Sequence, residues 1–290
     1  MLPFLETLLY VALGLIVLEV IIDLLIVTSG NRGVQRTTSA VAETTRGGVA
    51  ETTRGGVDMG VVSVGLTAIA FALLTTYIIG RAVVTGRSPL TNMHEYAVAF
   101  VWAIVVASLV GFWRFHARVL SVGVGAVAAA LLAFGLSVGH DVQPLVPALQ
   151  NSALLTLHVG FAILGSGAAC LSFAAAVTYL LHPKLRLPLS RPALDDMSYK
   201  AAVVAYPLWT MMLLLGSLWA NVAWGKYWSW DPKETAALVT WLIYTAFLHA
   251  RVVRGWRGNR SAWLLVIAFV AVLFTLFGNY FFGGLHSYAS

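Results

Sequence analysis

Apolar residues along this chain come in long unbroken runs rather than in alternation. Eight such runs can be read, at about 5–28, 59–80, 96–113, 119–138, 152–181, 201–220, 234–251 and 261–282. Each is close to the roughly 20 residues that a helix needs to cross a bilayer. Isolated strands cannot cross lipid, because their backbone groups would stay unpaired there. Barrel strands would alternate apolar and polar positions instead of running continuously. The pattern therefore predicts an all-α, polytopic membrane helix bundle of about eight transmembrane helices. The first run lacks a basic leader segment and contains Glu19 and Asp23, so it is expected to stay as a permanent helix.

Composition supports lipid as the solvent. Of the 290 residues 59% are hydrophobic and 10% are charged, against about 25% charged in soluble domains. Charge then orients the bundle. Of the 18 Lys and Arg, 14 fall in the connections after the first, third, fifth and seventh helices; Arg81, Arg87, Lys226 and Lys233 fall in the opposite set. The positive-inside rule puts the first set in the cytoplasm and both termini on the extracytoplasmic side. The net charge of +6 is then a topological bias and not a nucleic-acid footprint.

Two parts follow. Residues 1–58 form an N-terminal transmembrane helix and a cytoplasmic loop that carries the tandem repeat VAETTRGG at 41–48 and 49–56. This loop is too polar to bury a core. Residues 59–290 form a single bundle, with Asp58 placed to N-cap its first helix. The segment 182–200 reads as an ordered cytoplasmic surface loop, with Pro207 as a kink near the start of the sixth helix. Glu19 and Asp23 share one face near the inner end of the first helix. They read either as a polar site or subunit contact, or as carboxylates snorkelling to the interface. The lone cysteine, Cys170, reads as a helix-packing residue. It allows no internal disulfide, so thiol chemistry must come from a partner.

The extracytoplasmic connection 219–234 concentrates aromatic chemistry: Trp219, Trp224, Trp228 and Trp230 lie within it. If helical, Trp224 and Trp228 share a face. Interfacial tryptophans ordinarily form a belt, and Asp231-Pro232-Lys233-Glu234 is a good helix start in its own right. A belt is spread around a protein, however, whereas four indoles in one loop suit a large flat hydrophobic ligand. Among the seven histidines, His116 and His182 fall at cytoplasmic helix ends and His94 and His140 in outer loops. His158, in the outer turns of helix five, and His286, beyond helix eight, lie on the side of the tryptophan loop. Two imidazoles from different elements can take both axial positions of a haem iron. His249 lies 15 residues inward from Glu234, about 22 Å at 1.5 Å per residue, in a core of roughly 30 Å. An ionisable group at that depth is a functional candidate, or else an inner-interface residue beside Arg251.

The run WGKYWSWDPKE (224–234), continuing to TWLIYTAFLHAR (240–251), resembles the WWD signature of the CcsA/ResC family of system II cytochrome c biogenesis proteins. LLTLHVGFAILG (154–165), YKAAVVAYPLWTMMLLLGSLWANVAWG (199–225), GNYFFGGLHSYA (278–289) and, more weakly, PLTNMHEY (89–96) are similar to the same family. The resemblance implies a multi-pass protein of the bacterial cytoplasmic membrane. It would move haem b from a transmembrane site to an extracytoplasmic WWD site and present it to the CxxCH motif of apocytochrome c, as part of a holocytochrome c synthase (haem lyase) complex. The implied partners are a CcsB/ResB-type membrane subunit, the apocytochrome and thiol-reducing proteins that act on it. By the same resemblance His158 and His286 would hold the iron, Trp224, Gly225, Trp228, Trp230 and Asp231 would form the platform, and His249 would match the transmembrane ligand. Ala236 stands where the family often has another tryptophan, and His94 where it has tyrosine. Rival readings are a CcmC-type haem exporter, a b-type cytochrome electron-transfer subunit and a solute transporter.

Overall fold

A computed structural model describes residues 1–41, 59–115, 119–139, 141–142, 144–150, 152–185, 187, 189–278 and 282–286. Among these there are eight α-helices and no strands: α1 Leu2–Val41, α2 Met59–Thr85, α3 Met93–Phe115, α4 Val119–Ser137, α5 Ser152–Leu185, α6 Arg191–Trp224, α7 Pro232–Val253 and α8 Asn259–Phe277. A 3₁₀ turn at Pro147–Leu149 precedes α5. All eight helices are long and apolar enough to cross a membrane, α1 through Leu2–Thr28. The VAETTRGG repeat, Asp58, His116 and His140 lie outside the described residues.

Helix α5 is central. It packs along α6 and also touches α3, α4 and α8, while α1 packs on α2 and α4. Small residues permit this, because helices in lipid gain by close approach rather than by hiding apolar surface from water. At Gly167 a Cβ would lie 2.5 Å from the Ala103 carbonyl oxygen of α3, and at Gly165 it would fall on the Trp209 indole of α6. Large apolar side chains such as Phe4, Ile21, Leu214 and Ile267 face outward, as lipid requires.

The structure corrects several expectations. The segment 182–200 is not a surface loop: α5 runs to Leu185 and α6 begins at Arg191. Ser190 caps α6 by accepting from Ala193 N at 3.4 Å, with Pro192 in its first turn. Leu194, Met197, Ser198 and Ala201 are then buried at helical spacing, which sequence inspection missed because the surrounding charges masked it. Asp195 is not a surface group. It pairs with Arg251 of α7 at 2.7 Å and accepts from Gly258 N at 3.0 Å, and both partners of the pair are buried. Pro207 sits well inside α6, which continues through it. Helix α8 stops at Phe277, short of the expected 282.

His94 is not in a loop. It lies in the first turn of α3 and is 1% exposed. Its Nδ1–H donates to Gly135 O at 2.7 Å, so Nε2 is the acceptor for the Tyr77 hydroxyl at 2.6 Å. Both ring nitrogens are engaged in joining α2, α3 and α4, which makes this a structural histidine rather than a spare ligand. Arg81 likewise lies inside α2, paired with Glu95 of α3 at 2.8 Å with both side chains buried.

Candidate functional site

At the end of the bundle where α6 stops and α7 starts, a cavity of about 1010 Å³ opens. That volume includes the open mouth of the cavity. Its walls come from α3, α5, α6, α7 and α8, and Tyr227, Trp228 and His286 close it. His158, Trp209, Trp219 and Lys233 also line it.

Local sequence builds the rim. Helix α6 ends because Gly225 takes the left-handed conformation (φ 72) and its N–H returns to Asn221 O at 2.9 Å, a stop that glycine makes without strain. Helix α7 restarts at an N-cap on Asp231, with Pro232 at the first position and a capping box to Glu234. Glu234 also accepts from Ser229 N at 2.8 Å and from Asp231 N at 3.3 Å, so one carboxylate shapes the turn. Residues between the caps are not helical, and Trp224 and Trp228 therefore do not share a helix face. Trp230 is held at φ 57, a left-handed conformation that costs a non-glycine residue about 1–3 kcal/mol. Its indole is 69% exposed and packs edge-on against Trp228 at 5.8 Å.

Trp219, 2% exposed, is the hinge of the arrangement. His158 lies parallel to it (6.1 Å between centroids, 5° between planes), and His286 is tilted against it at 5.7 Å. Trp224 packs edge-on to both Trp219 and His286 at 4.8 Å. Trp219 Nε1 donates to Ala148 O at 3.2 Å, which ties the indole to the 3₁₀ turn before α5. The structure thus brings His158, His286 and Trp228 to one cavity. Trp224 buttresses it from behind, Gly225 shapes its rim, and Trp230 faces outward. His249 is exposed on the flank of α7 and does not line it.

Each histidine is aimed through Nδ1. His158 donates to Met212 O at 2.8 Å, and His286 donates to Asp231 Oδ1 at 2.8 Å. In the neutral rings Nε2 then carries the lone pair, and this Nδ1 pairing is how metal-ligating imidazoles are commonly held. Asp231 also accepts from Lys233 N at 2.9 Å and from Leu285 N. Burial alone would push its pKa up, but the His286 hydrogen bond and charge and the two amides prevail and hold the carboxyl down at about 2. Burial lowers His286 below the usual histidine range against the opposing pull of Asp231, so its neutral form is favoured. Two glycines leave room for these rings. A Cβ at Gly216 would stand 2.6 Å from His158 Cε1, and one at Gly284 would collide with Asp231 Oδ2.

Trp209 also lines the cavity, and its Nε1, packed beside Gly165 of α5, is a buried donor with no hydrogen-bond partner. Such an orphan suits a bound molecule that brings an acceptor. Lys233 lines the same cavity, with its ammonium 5.2 Å above the Tyr96 ring. Among the described residues no three His, Cys, Asp or Glu side chains converge on a metal-sized point. Two imidazoles against an aromatic wall are what the geometry offers.

Residues 68–286 match the model of the "Cytochrome C assembly protein" family. The chain belongs to that family. Proteins described as "Cytochrome c biogenesis protein CcsA" are its relatives: that of Guillardia theta is 32% identical over 257 residues, covering 78% of this chain and 85% of the relative. That of Microcystis aeruginosa is 31% identical over 288 residues, covering 79% and 87%, and that of Gloeobacter violaceus is 30% identical over 288 residues, covering 77% and 85%. The fold resembles the solved "Cytochrome c Heme Lyase CcmF" with a TM-score of 0.69 at 17% identity, over 94% of this chain. This chain spans about half of that protein's length (46%). Family membership makes it a cytochrome c biogenesis protein, and its eight long apolar helices make it a multi-pass membrane protein.

Three contributors were not singled out in the sequence. Trp219 enters there only as one of the loop's four indoles, Trp209 goes unremarked, and Lys233 enters only as an outer charge within a helix start. No spacing rule would have found Trp219, since its role depends on two rings from distant segments. Lys233, directly after Asp231-Pro232, was the most legible of the three.

Proposed function

We propose that this chain is the haem-handling membrane subunit of a system II cytochrome c synthase, holding haem b as its substrate in the cavity described above. His158 and His286 would be the axial ligands through Nε2. Trp219, Trp228 and the apolar wall would bind the ring, and Trp209 Nε1 and Lys233 would meet its polar substituents. The observation that carries this reading is the placement of two Nδ1-anchored imidazoles on the same buried indole, one from α5 and one from beyond α8.

In this reading the chain's own residues do positioning work. They bind the ring, fix its axial ligands and exclude water. Orientation of this kind supplies much of the advantage in joining two bound reactants, while the thioether chemistry belongs to haem and the CxxCH thiols of apocytochrome c. The cavity end of the bundle would be extracytoplasmic, where apocytochrome and thiol-reducing proteins meet it. His249, exposed on α7, would form half of a transmembrane site completed by a CcsB/ResB-type partner.

The test is the absorption spectrum of the purified protein loaded with haem, alongside maturation of a reporter cytochrome c. His158→Ala or His286→Ala is expected to remove the bis-histidine spectrum and abolish maturation, with partial rescue by added imidazole. Full maturation by both single variants would overturn the assignment.

A further inference from the structure

The buried guanidiniums of this bundle are matched by carboxylates: Arg81 pairs with Glu95 and Arg251 with Asp195. Glu19 and Asp23 of α1 also turn into the bundle, 3% and 2% exposed, but line no part of the large cavity. Lys233 differs from all of these. It is partly buried, it lines that cavity, and it makes no ion pair among the described residues. No other lysine or arginine is among the described cavity lining.

The carboxylates beside it in the chain are already committed. Asp231 accepts from His286 and from Lys233 N on Oδ1, and from Leu285 N on Oδ2. Glu234 accepts from Ser229 N, Ser229 Oγ and Asp231 N, all on Oε2. The Tyr96 ring, 5.2 Å from the ammonium, attracts a cation but does not neutralise it. An ammonium drawn into an apolar cavity is costly unless a counterion comes with it. The fold supplies none, so the anion must arrive on the ligand.

We propose that Lys233 selects and orients the tetrapyrrole by pairing with one of its propionate carboxylates, an inference that rests on haem being the ligand of this cavity. Axial ligation leaves a gap that such a contact fills. Two imidazoles fix the iron, but the ring can still turn about the axis that joins them. Haem carries both propionates on one half of the ring and both vinyls on the other. Pairing at Lys233 draws the propionate half toward the start of α7 and Tyr96 of α3, and so turns the vinyl half away from them. Lys233 is thus a positioning residue, which decides the edge of the ring that meets the apocytochrome thiols.

Absorbance titration of the full chain in lipid nanodiscs, with haem and with haem dimethyl ester, tests this. Lys233→Met should cut the preference for haem over the diester by at least about tenfold, the size of one charged hydrogen bond. The loss should fall on haem and leave the affinity for the diester unchanged, with the bis-histidine spectrum kept at saturation. Lys233→Arg should retain most of the preference. The same preference in wild type and Lys233→Met would overturn the proposal. So would a wild-type chain that binds both compounds equally, a measurement that requires no variant to fold. Haem binding that survives loss of both His158 and His286 would overturn the cavity reading and this inference with it. Binding that needs both histidines yet ignores the ester would remove the role of Lys233 alone.

Discussion

Asp231 and Asp195 are both buried aspartates near helix starts that accept a backbone N–H and pair with a side chain from another element. Asp195 pairs with a guanidinium that is itself enclosed: Arg251 also donates to Trp256 O at 3.1 Å and lies over the Tyr199 ring. This pair does not line the cavity at the other end of the bundle, and it locks the α6, α7 and α8 ends together. Asp231 pairs with an imidazole, and that imidazole lines the large cavity. The same acidic residue type thus serves as a clamp at one end of the bundle and as an aiming device at the other. The difference lies in the partner, because Arg is charged under all conditions whereas His keeps a lone pair for a ligand.

The comparison can be broken from either side. Arg251→Met should have the largest effect on stability, about 3–5 kcal/mol, because it strands a buried carboxylate. Denaturation in detergent would read it, while haem affinity of the folded fraction should stay near wild type. Asp231→Asn should do the reverse. Loss of the group that orients His286 is expected to weaken haem binding roughly 10–100-fold, seen in titrations, with a smaller change in the unfolding midpoint.

Acid should separate the two ends next. Burial lowers His286 from the ordinary value of 6.5, so the unfolded chain takes up the proton first. Its contribution is fully present above about pH 6.5 and is lost as pH falls through the lower folded value; protonation also removes the Nε2 lone pair. Haem affinity of the folded protein should therefore hold at pH 6.5 and drop only as pH falls through the lower folded value, and His286→Ala should remove that part of the profile. Asp231, held at about 2 from 3.8, favours the folded state above pH 3.8 and loses this as pH falls toward 2. The smallest effect belongs to Trp230→Ala. An exposed indole contributes within about 0.5 kcal/mol to stability, so melting should hardly move. Slowed delivery of haem to apocytochrome would show that the outward indole acts in transfer.

Much of the site's chemistry was legible. The helix stop at Gly225 and the restart at Asp231-Pro232-Lys233-Glu234 follow from capping rules, and His158 and His286 could be assigned to one end from charge bias alone. Illegible were the inward turn of Glu19 and Asp23, the helical character of 191–200 and the structural use of His94. In a soluble helix the apolar stripe shows which face is buried. In lipid both faces are apolar and packing decides rotation, so the pattern marks where a helix is without saying which way it turns.

The sequence by itself determined eight helices, because continuous apolar runs can satisfy their backbone in lipid only as helices. It also supplied the groups able to bind a large aromatic ligand and the motif that marks the family. Only the tertiary structure decided that both histidines pack against Trp219, that Asp231 aims His286, and that Trp230 and His249 face away from the cavity. Those relations join α5, α6, α7 and the residues after α8, and they depend on rotations and depths that neighbouring helices set.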